Sequence, residues 1–281
     1  MKKKKTNIII HIILMTFVIC TLFPIFYTLI SSLKTNMEIL TEPTRLFPKK
    51  ITFDNYITAW TSEEFNVPKM LFNSLYYTVT SVISIVLIST MAGYVFARGE
   101  FPGKTFLFAC FSTLLFVQST GVGIYPKFEI LRAIHLDTGL NALVILGFFA
   151  VPITYIYIVK GFVASIPREL DESAEIDGCS FMGTFFRIIQ PLLLPTIATT
   201  GILTFRATWN SYVDVAIFTS TKPEQQTLMV GLMALKSSSG AATNWALMMA
   251  GSIIALVPVV GAYLIGNKYM IAGLTSGAVK G

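Results

Sequence analysis

The sequence predicts an all-α integral membrane protein with six transmembrane helices. Of its 281 residues, 54% are hydrophobic and only 13% are charged, and the mean hydropathy is +0.69. A soluble core of this length would not need so much apolar surface. A membrane-spanning helix needs roughly 20 mostly apolar residues. Six runs of the sequence meet this requirement: 8–30, 71–97, 105–125, 140–162, 192–217 and 245–266.

The first run follows four consecutive lysines, Lys2 to Lys5. Its apolar part exceeds the roughly 7–15 residues of a signal peptide and has no small-residue cleavage site, so we expect an uncleaved helix. The lysine cluster predicts a cytoplasmic N-terminus, and six spans return the C-terminus to the same side. With this cluster included, the 21 Lys and Arg residues divide almost evenly, with 11 on the predicted inside and 10 on the predicted outside. They lie at the ends of apolar runs, which favours anionic lipid headgroups over nucleic acid as their partner.

The longest segment on the predicted outside, 31–70, carries Pro43, Pro48 and a short amphipathic piece at 53–60. Two interpretations stay open: the segment contacts another protein, or it lies on the lipid headgroups. No segment between the apolar runs is long enough to form a separate soluble domain. We therefore expect residues 1–281 to form a single membrane domain.

The turn between the second and third runs is close to a phosphate-binding loop. Gly99-Glu-Phe-Pro-Gly103-Lys104-Thr105 has three residues between its glycines where that motif needs four, and no strand precedes it. The histidines, His11 and His135, and the three cysteines lack the spacing of a catalytic or metal site. The sequence therefore predicts a non-catalytic chain that binds no metal and leaves ATP to another chain.

A polar stretch, 165–195, separates the fourth and fifth runs and is too charged to enter the bilayer. Pro167 suits the first turn of a helix, Gly178 suits a helix end, and Ser180 suits the start of a second helix. Anionic lipids would repel the five acids of the first helix, so we expect a basic protein partner. These acids are Glu169, Asp171, Glu172, Glu175 and Asp177.

This hairpin resembles the cytoplasmic EAA loop of ABC importer permeases. The family pattern is Glu-Ala-Ala, three residues, Gly, nine residues, Ile, any residue, Leu and Pro. Ser173 replaces the first Ala and Gln190 replaces the Leu. The matching positions are Glu172, Ala174, Gly178, Ile188 and Pro191. The stretches 96–103, 209–210 and 269–281 extend the resemblance to the maltose-type, binding-protein-dependent sugar permeases.

The resemblance implies the permease subunit of a bacterial inner-membrane importer that moves a sugar or oligosaccharide. Its partners would be a second permease subunit in a heterodimer, two ATPase subunits that bind ATP, and an extracytoplasmic sugar-binding protein. The hairpin would sit in a cleft of an ATPase and transmit its motion, and the tail, 273–281, could reach the same interface. The implied coupling residues are Glu172, Ser173, Ala174, Asp177, Gly178, Ile188 and Pro191.

Polar residues inside apolar runs are costly and therefore mark candidate functional sites. The fifth run is the richest, and we expect its outer half to line a substrate pathway together with one residue of the third run. Aromatic faces, amides and guanidinium groups are the groups that hold sugars. The candidates are Arg206, Trp209, Asn210, Tyr212 and Gln118. The alternative is that Arg206 pairs with Asp214 or snorkels to the outer surface, and that Trp209 and Tyr212 belong to an interfacial aromatic belt. An unpaired Arg206 would favour an acidic sugar.

Two other functions stay open at this point. The chain could be a permease of the same class for a non-sugar solute, such as a polyamine or phosphate. It could also be a secondary transporter that needs no ATPase. The sequence does not name the sugar, because in this family the binding protein selects it.

Overall fold

The computed structural model describes residues 2–116, 123–134, 136, 138–237 and 243–278. Within these residues every regular element is helical, which confirms the all-α class. Four helical segments are long and apolar enough to cross a bilayer: Ile9–Ser31, Val67–Arg98, Leu140–Ser165 and Trp245–Lys268. A fifth candidate is a bent pair, Phe181–Leu192 and Leu194–Trp209, whose axes meet at 77°. The chain is therefore a multi-pass membrane protein.

The residues fall into two compact units, and the first contains Met1–Leu71 and Val230–Val257. Its helices are α1 (Lys2–Ser31), α2 (Asn36–Thr41), α3 (Asp54–Thr61), the first turn of α4 (Val67–Arg98), most of α14 (Leu228–Ser237) and the first part of α15 (Trp245–Ala278). No residue in the most apolar window of α1 is buried against the described chain. A helix that is apolar all round and makes no such contact must face lipid or another chain. The single domain predicted for 1–281 stays a prediction.

Polar contacts fold the segment after α1 and attach it to α15. The Asn55 side-chain amide donates hydrogen bonds of 2.8 Å to the carbonyls of Ser32 and Lys34. Asn36 caps the start of α15, because its Oδ1 accepts a hydrogen bond of 2.9 Å from the backbone N–H of Trp245. The first N–H groups of a helix have no partner within the helix, so Asn36 satisfies one of them from a distant part of the chain.

The second unit contains Phe72–Met229 and Pro258–Gly281. Its elements are the rest of α4 and α15, the helices between them, a π-helical turn at Phe185–Ile189 and a 3-10 turn at Pro223–Gln225. The helices are α5 (Lys104–Thr113), α6 (Ile124–Ala133), α7 (Leu140–Phe148), α8 (Ile153–Ser165), α9 (Glu169–Ile176), α10 (Phe181–Thr184), α11 (Gln190–Leu192), α12 (Leu194–Trp209) and α13 (Val213–Phe218). Small side chains line the buried faces of α4 and α12, as is common where membrane helices pack closely. They are Ser74, Thr78, Ser81, Ser84, Ser89, Thr90, Thr196, Thr200 and Thr204.

The structure differs from the predicted runs at three places. The run at 140–162 is two helices, α7 and α8, interrupted before Pro152. The run at 192–217 is also divided, because α12 ends at Trp209 and α13 follows after a short break. The run at 105–125 begins as predicted, with α5, but α5 ends at Thr113. Residues 117–122 lie outside the described residues. The hydropathy of a run averages over its side chains and does not detect where the helix backbone is interrupted. The count of six spans therefore stays a prediction.

Candidate functional site

The first arm of the polar hairpin is α9, and it ends at a glycine. Gly178 has a backbone φ of 78°, in the left-handed region where a Cβ causes strain. The N–H of Gly178 donates to the carbonyl of Glu175 at 3.0 Å, and that of Cys179 donates to the carbonyl of Ala174 at 2.9 Å. These two bonds form a Schellman motif, which satisfies the last carbonyls of the helix and reverses the chain.

The second arm begins with a side-chain cap and leads into the membrane. Ser180 Oγ accepts a hydrogen bond of 3.1 Å from the N–H of Gly183. A π-helical turn follows, and it places the side chains of Phe185 and Ile189 in a fully buried cluster. That cluster contains residues of α4 and α8: Tyr94, Val159, Val163 and others. The second arm is therefore packed on the spans, while the first arm lies at the surface.

The inward side of α9 is held by contacts from α4. Ala174 is only 2% exposed. One turn earlier, the Asp171 carboxylate forms an ion pair with Arg98, with 2.9 Å between Oδ2 and Nε. The Tyr94 hydroxyl donates to the other carboxylate oxygen of Asp171 at 3.3 Å. Asp171 therefore faces α4 of the same chain, which leaves the other acids of the hairpin for a protein partner.

The outward side of α9 combines an apolar side chain with acids. Ile176 is 87% exposed, and Glu172 and Glu175 are exposed beside it. Ser173 is also exposed, and its hydroxyl donates to the carbonyl of Glu169 at 2.7 Å, within the same helix. This surface fits a partner that offers an apolar recess with a basic rim.

The other motif residues lie at the two ends of the hairpin. Asp177 and Gly178 are exposed at the turn. Ile188 is half-buried in the π-helical turn, and Pro191 is exposed in α11. A pocket of about 270 Å³ opens between α4, α9 and α10. Its lining includes Tyr94, Arg98, Arg168, Asp171, Glu172 and Phe181.

The predicted pathway residues cluster at the end of α12 but differ in environment. Arg206 is exposed and makes no ion pair with any described residue. Trp209 is buried, and its ring stacks on Phe205 with 5.6 Å between centroids. Asn210 ends the helix, since its side-chain amide donates to the carbonyl of Arg206 at 2.9 Å. Tyr212 follows and is 41% exposed. Gln118 lies outside the described residues.

Asp214 does not pair with Arg206, because its carboxylate pairs with Lys127 of α6. Sequence reasoning missed both Lys127 and Arg98 as partners of these acids. Each pair joins residues that are far apart in the sequence, so spacing within one segment carried no signal. For Asp171 a signal did exist: it lies three residues before Ala174, on the same face of the helix.

Comparison with known proteins gives the family. Residues 71–270, more than half of the chain, match the family described as binding-protein-dependent transport system inner membrane component. The arabinooligosaccharides transport system permease protein AraQ of Bacillus subtilis (strain 168) is 34% identical over 262 residues, which cover 92% of this chain and 91% of that protein. The sulfoquinovosyl glycerol transport system permease protein SmoH of Agrobacterium fabrum is 31% identical, with 92% of this chain and 89% of that protein covered.

A solved structure shares the fold. It is the crystal structure of a bacterial ABC transporter involved in the import of the acidic polysaccharide alginate. Its matching chain superposes with a TM-score of 0.79 at 21% identity, and the match covers 95% of this chain and 97% of that one. The chain therefore belongs to the family of binding-protein-dependent transport system inner membrane components, the membrane-spanning permeases of ABC importers.

Proposed function

We propose that this chain is the permease subunit of an ATP-driven importer that moves a sugar or oligosaccharide delivered by an extracytoplasmic binding protein. Family membership supports the importer class, and the names of the two relatives support a carbohydrate substrate. The observation that carries the proposal is the exposed, acidic and apolar face of α9 on a chain that is otherwise built for lipid. In this proposal six spans cross a bacterial inner membrane, and both termini lie in the cytoplasm.

The hairpin is the proposed contact with the ATPase. Ile176 would enter an apolar recess, and fully burying such a side chain contributes about 1.5–3 kcal/mol. Glu172 would face basic groups at the rim, where complementary charge fixes orientation more than affinity. Gly178 and Asp177 form the turn, Ala174 seats α9 on the chain, and Ser173, Ile188 and Pro191 complete the proposed coupling set.

The proposed assembly contains two permeases and two ATPases. Each permease has one hairpin, so two ATPase subunits require two permease chains, which we propose to be different. The exposed apolar surface of α1 suits contact with lipid or with the second permease. ATP would bind to the ATPases, and this chain would hold no cofactor.

The proposed substrate pathway contains Arg206, Trp209, Asn210, Tyr212 and Gln118. The exposed guanidinium of Arg206 supports a role in contacting substrate hydroxyls or carboxylates. The Trp209 ring is covered by Phe205 on one face, so it supports the wall more directly than it supports stacking on a sugar ring.

The proposal predicts that reversing charge on α9 uncouples transport. In cells that produce the complete transporter, we expect Glu172→Lys or Ile176→Asp to abolish uptake of its oligosaccharide, while the chain still inserts. The control is Glu100→Lys, which alters an exposed acid on the same predicted side but outside the hairpin. Uptake is measured with a panel of radiolabelled oligosaccharides that includes arabino-oligosaccharides, and insertion is measured by immunoblotting of membranes.

Retained uptake in both α9 variants would contradict contact between the hairpin and an ATPase. Uptake that is driven by an ion gradient and survives ATP depletion would show a secondary transporter instead. Uptake of a polyamine or phosphate, without any oligosaccharide, would assign a non-sugar cargo.

A further inference from the structure

We infer that α4 is a mechanical link between the hairpin at one of its ends and the segment Pro223–Leu228 at the other, with Arg98 and Asp171 as the positioning pair. This inference rests on the proposed function, because it concerns how motion imposed on the hairpin reaches the far side of the membrane. Neither Arg98 nor Asp171 belongs to the matched positions of the EAA pattern.

At the hairpin end, Arg98 joins three helices. Its Nε forms an ion pair with the Asp171 carboxylate of α9, and its Nη2 donates a hydrogen bond of 2.6 Å to the carbonyl of Ile166, just after α8. The arginine side chain is only 8% exposed and that of Asp171 is 21% exposed, so water screens their attraction less than at an open surface. A displacement of α9 therefore acts directly on the last residue of α4.

An aromatic contact strengthens the same junction. The ring of Tyr94 lies 4.6 Å from that of Phe181 and 5.2 Å from that of Phe185, between centroids. Its hydroxyl donates to Asp171. One residue thus contacts both arms of the hairpin, so the arms cannot move separately without disrupting these contacts.

At the opposite end, α4 holds the segment Pro223–Leu228 through side-chain bonds to its backbone. The Asn73 amide donates to the carbonyls of Glu224 and Gln226, both at 2.9 Å. Ser74 Oγ accepts a buried bond of 2.9 Å from the N–H of Leu228. Backbone groups that are held this way follow any axial or rotational movement of the helix.

Between these ends α4 is continuous. From Asn73 to Arg98 it contains no proline, and at 1.5 Å per residue this stretch is about 37 Å long, which exceeds the roughly 30 Å hydrocarbon core of a bilayer. The segment it holds is attached in turn to α7, because Gln225 Oε1 accepts a bond of 2.9 Å from the N–H of Leu140. The Tyr76 hydroxyl of α4 also donates to Asn141 at 3.0 Å. Movement of α4 would therefore reach the outer end of a second span.

The test uses the complete transporter in lipid nanodiscs. The permease carries Cys20→Ser, Cys110→Ser and Cys179→Ser, together with Glu224→Cys as a reporter in the outer segment. The readout is the rate at which a maleimide modifies residue 224 with and without ATP. We expect ATP to change this rate in the parent protein. Coupling free energies of the usual size correspond to about 5- to 150-fold, so Arg98→Glu should reduce the ATP-induced change at least about fivefold.

A conservative substitution distinguishes positioning from a merely structural role. Arg98→Lys, which keeps a positive charge beside Asp171 and a donor for the Ile166 carbonyl, should retain the ATP response that Arg98→Glu loses. Asn73→Leu should remove the response while the hairpin stays intact. The matched control is Arg187→Glu, which reverses an exposed basic residue of the second arm. A normal ATP response in Arg98→Glu, or an equal loss in Arg98→Lys and Arg98→Glu, overturns the inference. If the parent transporter shows no ATP-driven uptake of any oligosaccharide, the proposed function is overturned instead.

Discussion

Gly178 shows how one residue determines the shape of the hairpin. A Cβ built at this position would meet no atom within 4 Å, so there is space for a side chain. The backbone φ of 78° is the obstacle, because other residues adopt it only with strain. The glycine is therefore required for its conformation and not for its size.

We expect Gly178→Ala to destabilise the end of α9 by about 1–2 kcal/mol, and Gly178→Asn by less, because asparagine tolerates this conformation better. Hydrogen exchange of the amides of 169–180 in the complete transporter measures the effect. Gly161→Ala is the control: it also has open space, but it lies inside α8, where alanine favours the helix by up to about 1 kcal/mol. Equal exchange in Gly178→Ala and the parent would refute the strain argument.

The neighbouring acids Asp171 and Glu172 show what the sequence can and cannot predict. It predicted an acidic helix that begins near Pro167 and a turn at Gly178, since local chemistry governs both features. It could not separate the two acids, because the partner of Asp171 lies on α4, far earlier in the chain. The same limit applies to Asp214, whose partner Lys127 lies on another helix.

Among the helices, the close approach of α4 and α8 depends on Gly93. A Cβ there would lie 2.5 Å from Val159 Cγ1 and 3.1 Å from the backbone nitrogen of Lys160. The first distance is shorter than real Cβ contacts allow, so Val159 or the helices themselves would have to shift. The hairpin contacts of Arg98 and Tyr94 lie next to this crossing on α4.

We expect Gly93→Leu to destabilise the purified permease by about 1–3 kcal/mol or more, the usual cost of overpacking. Thermal aggregation in detergent measures the change as a lower midpoint temperature. Gly261→Leu serves as the control because a Cβ at this helical position meets no neighbouring atom. If both variants aggregate at the temperature of the parent, the close packing at Gly93 is not needed for stability.

Hydropathy predicted the helices better than it predicted their interruptions. The apolar runs at 8–30, 71–97 and 245–266 lie within α1, α4 and α15, because long uninterrupted runs have few alternatives in a bilayer. The bend of 77° near Leu193 and the π-helical turn before it were not predicted. Pro191 and Pro195 give a local signal for an interruption near Leu193, but they specify neither the angle nor the π-helical turn that buries Phe185 and Ile189.

For the molecule as a whole, the proposed topology predicts which surfaces face which compartment. In a permease without its native cysteines, Glu64→Cys and Glu224→Cys should react with a membrane-impermeant maleimide in right-side-out vesicles. Glu100→Cys and Ile176→Cys should react only after the membrane is opened. All four positions are exposed in the structure, so failure to react reflects the membrane and not burial. Labelling of residue 176 in intact vesicles would show that the hairpin lies outside the cell. The orientation would then be the reverse of the proposed one, and the hairpin could not contact a cytoplasmic ATPase.

The bond between Asn36 and the start of α15 has a consequence for biosynthesis. The two residues are 209 positions apart, and a ribosome adds about 5–20 residues per second. The asparagine is therefore made about 10–40 s before its partner exists. During that interval its side-chain amide must form its hydrogen bonds with water. Truncated nascent chains that end before Trp245 would contain the first unit without its closing contact. The segment around Asn36 is thus made well before the contact that completes it.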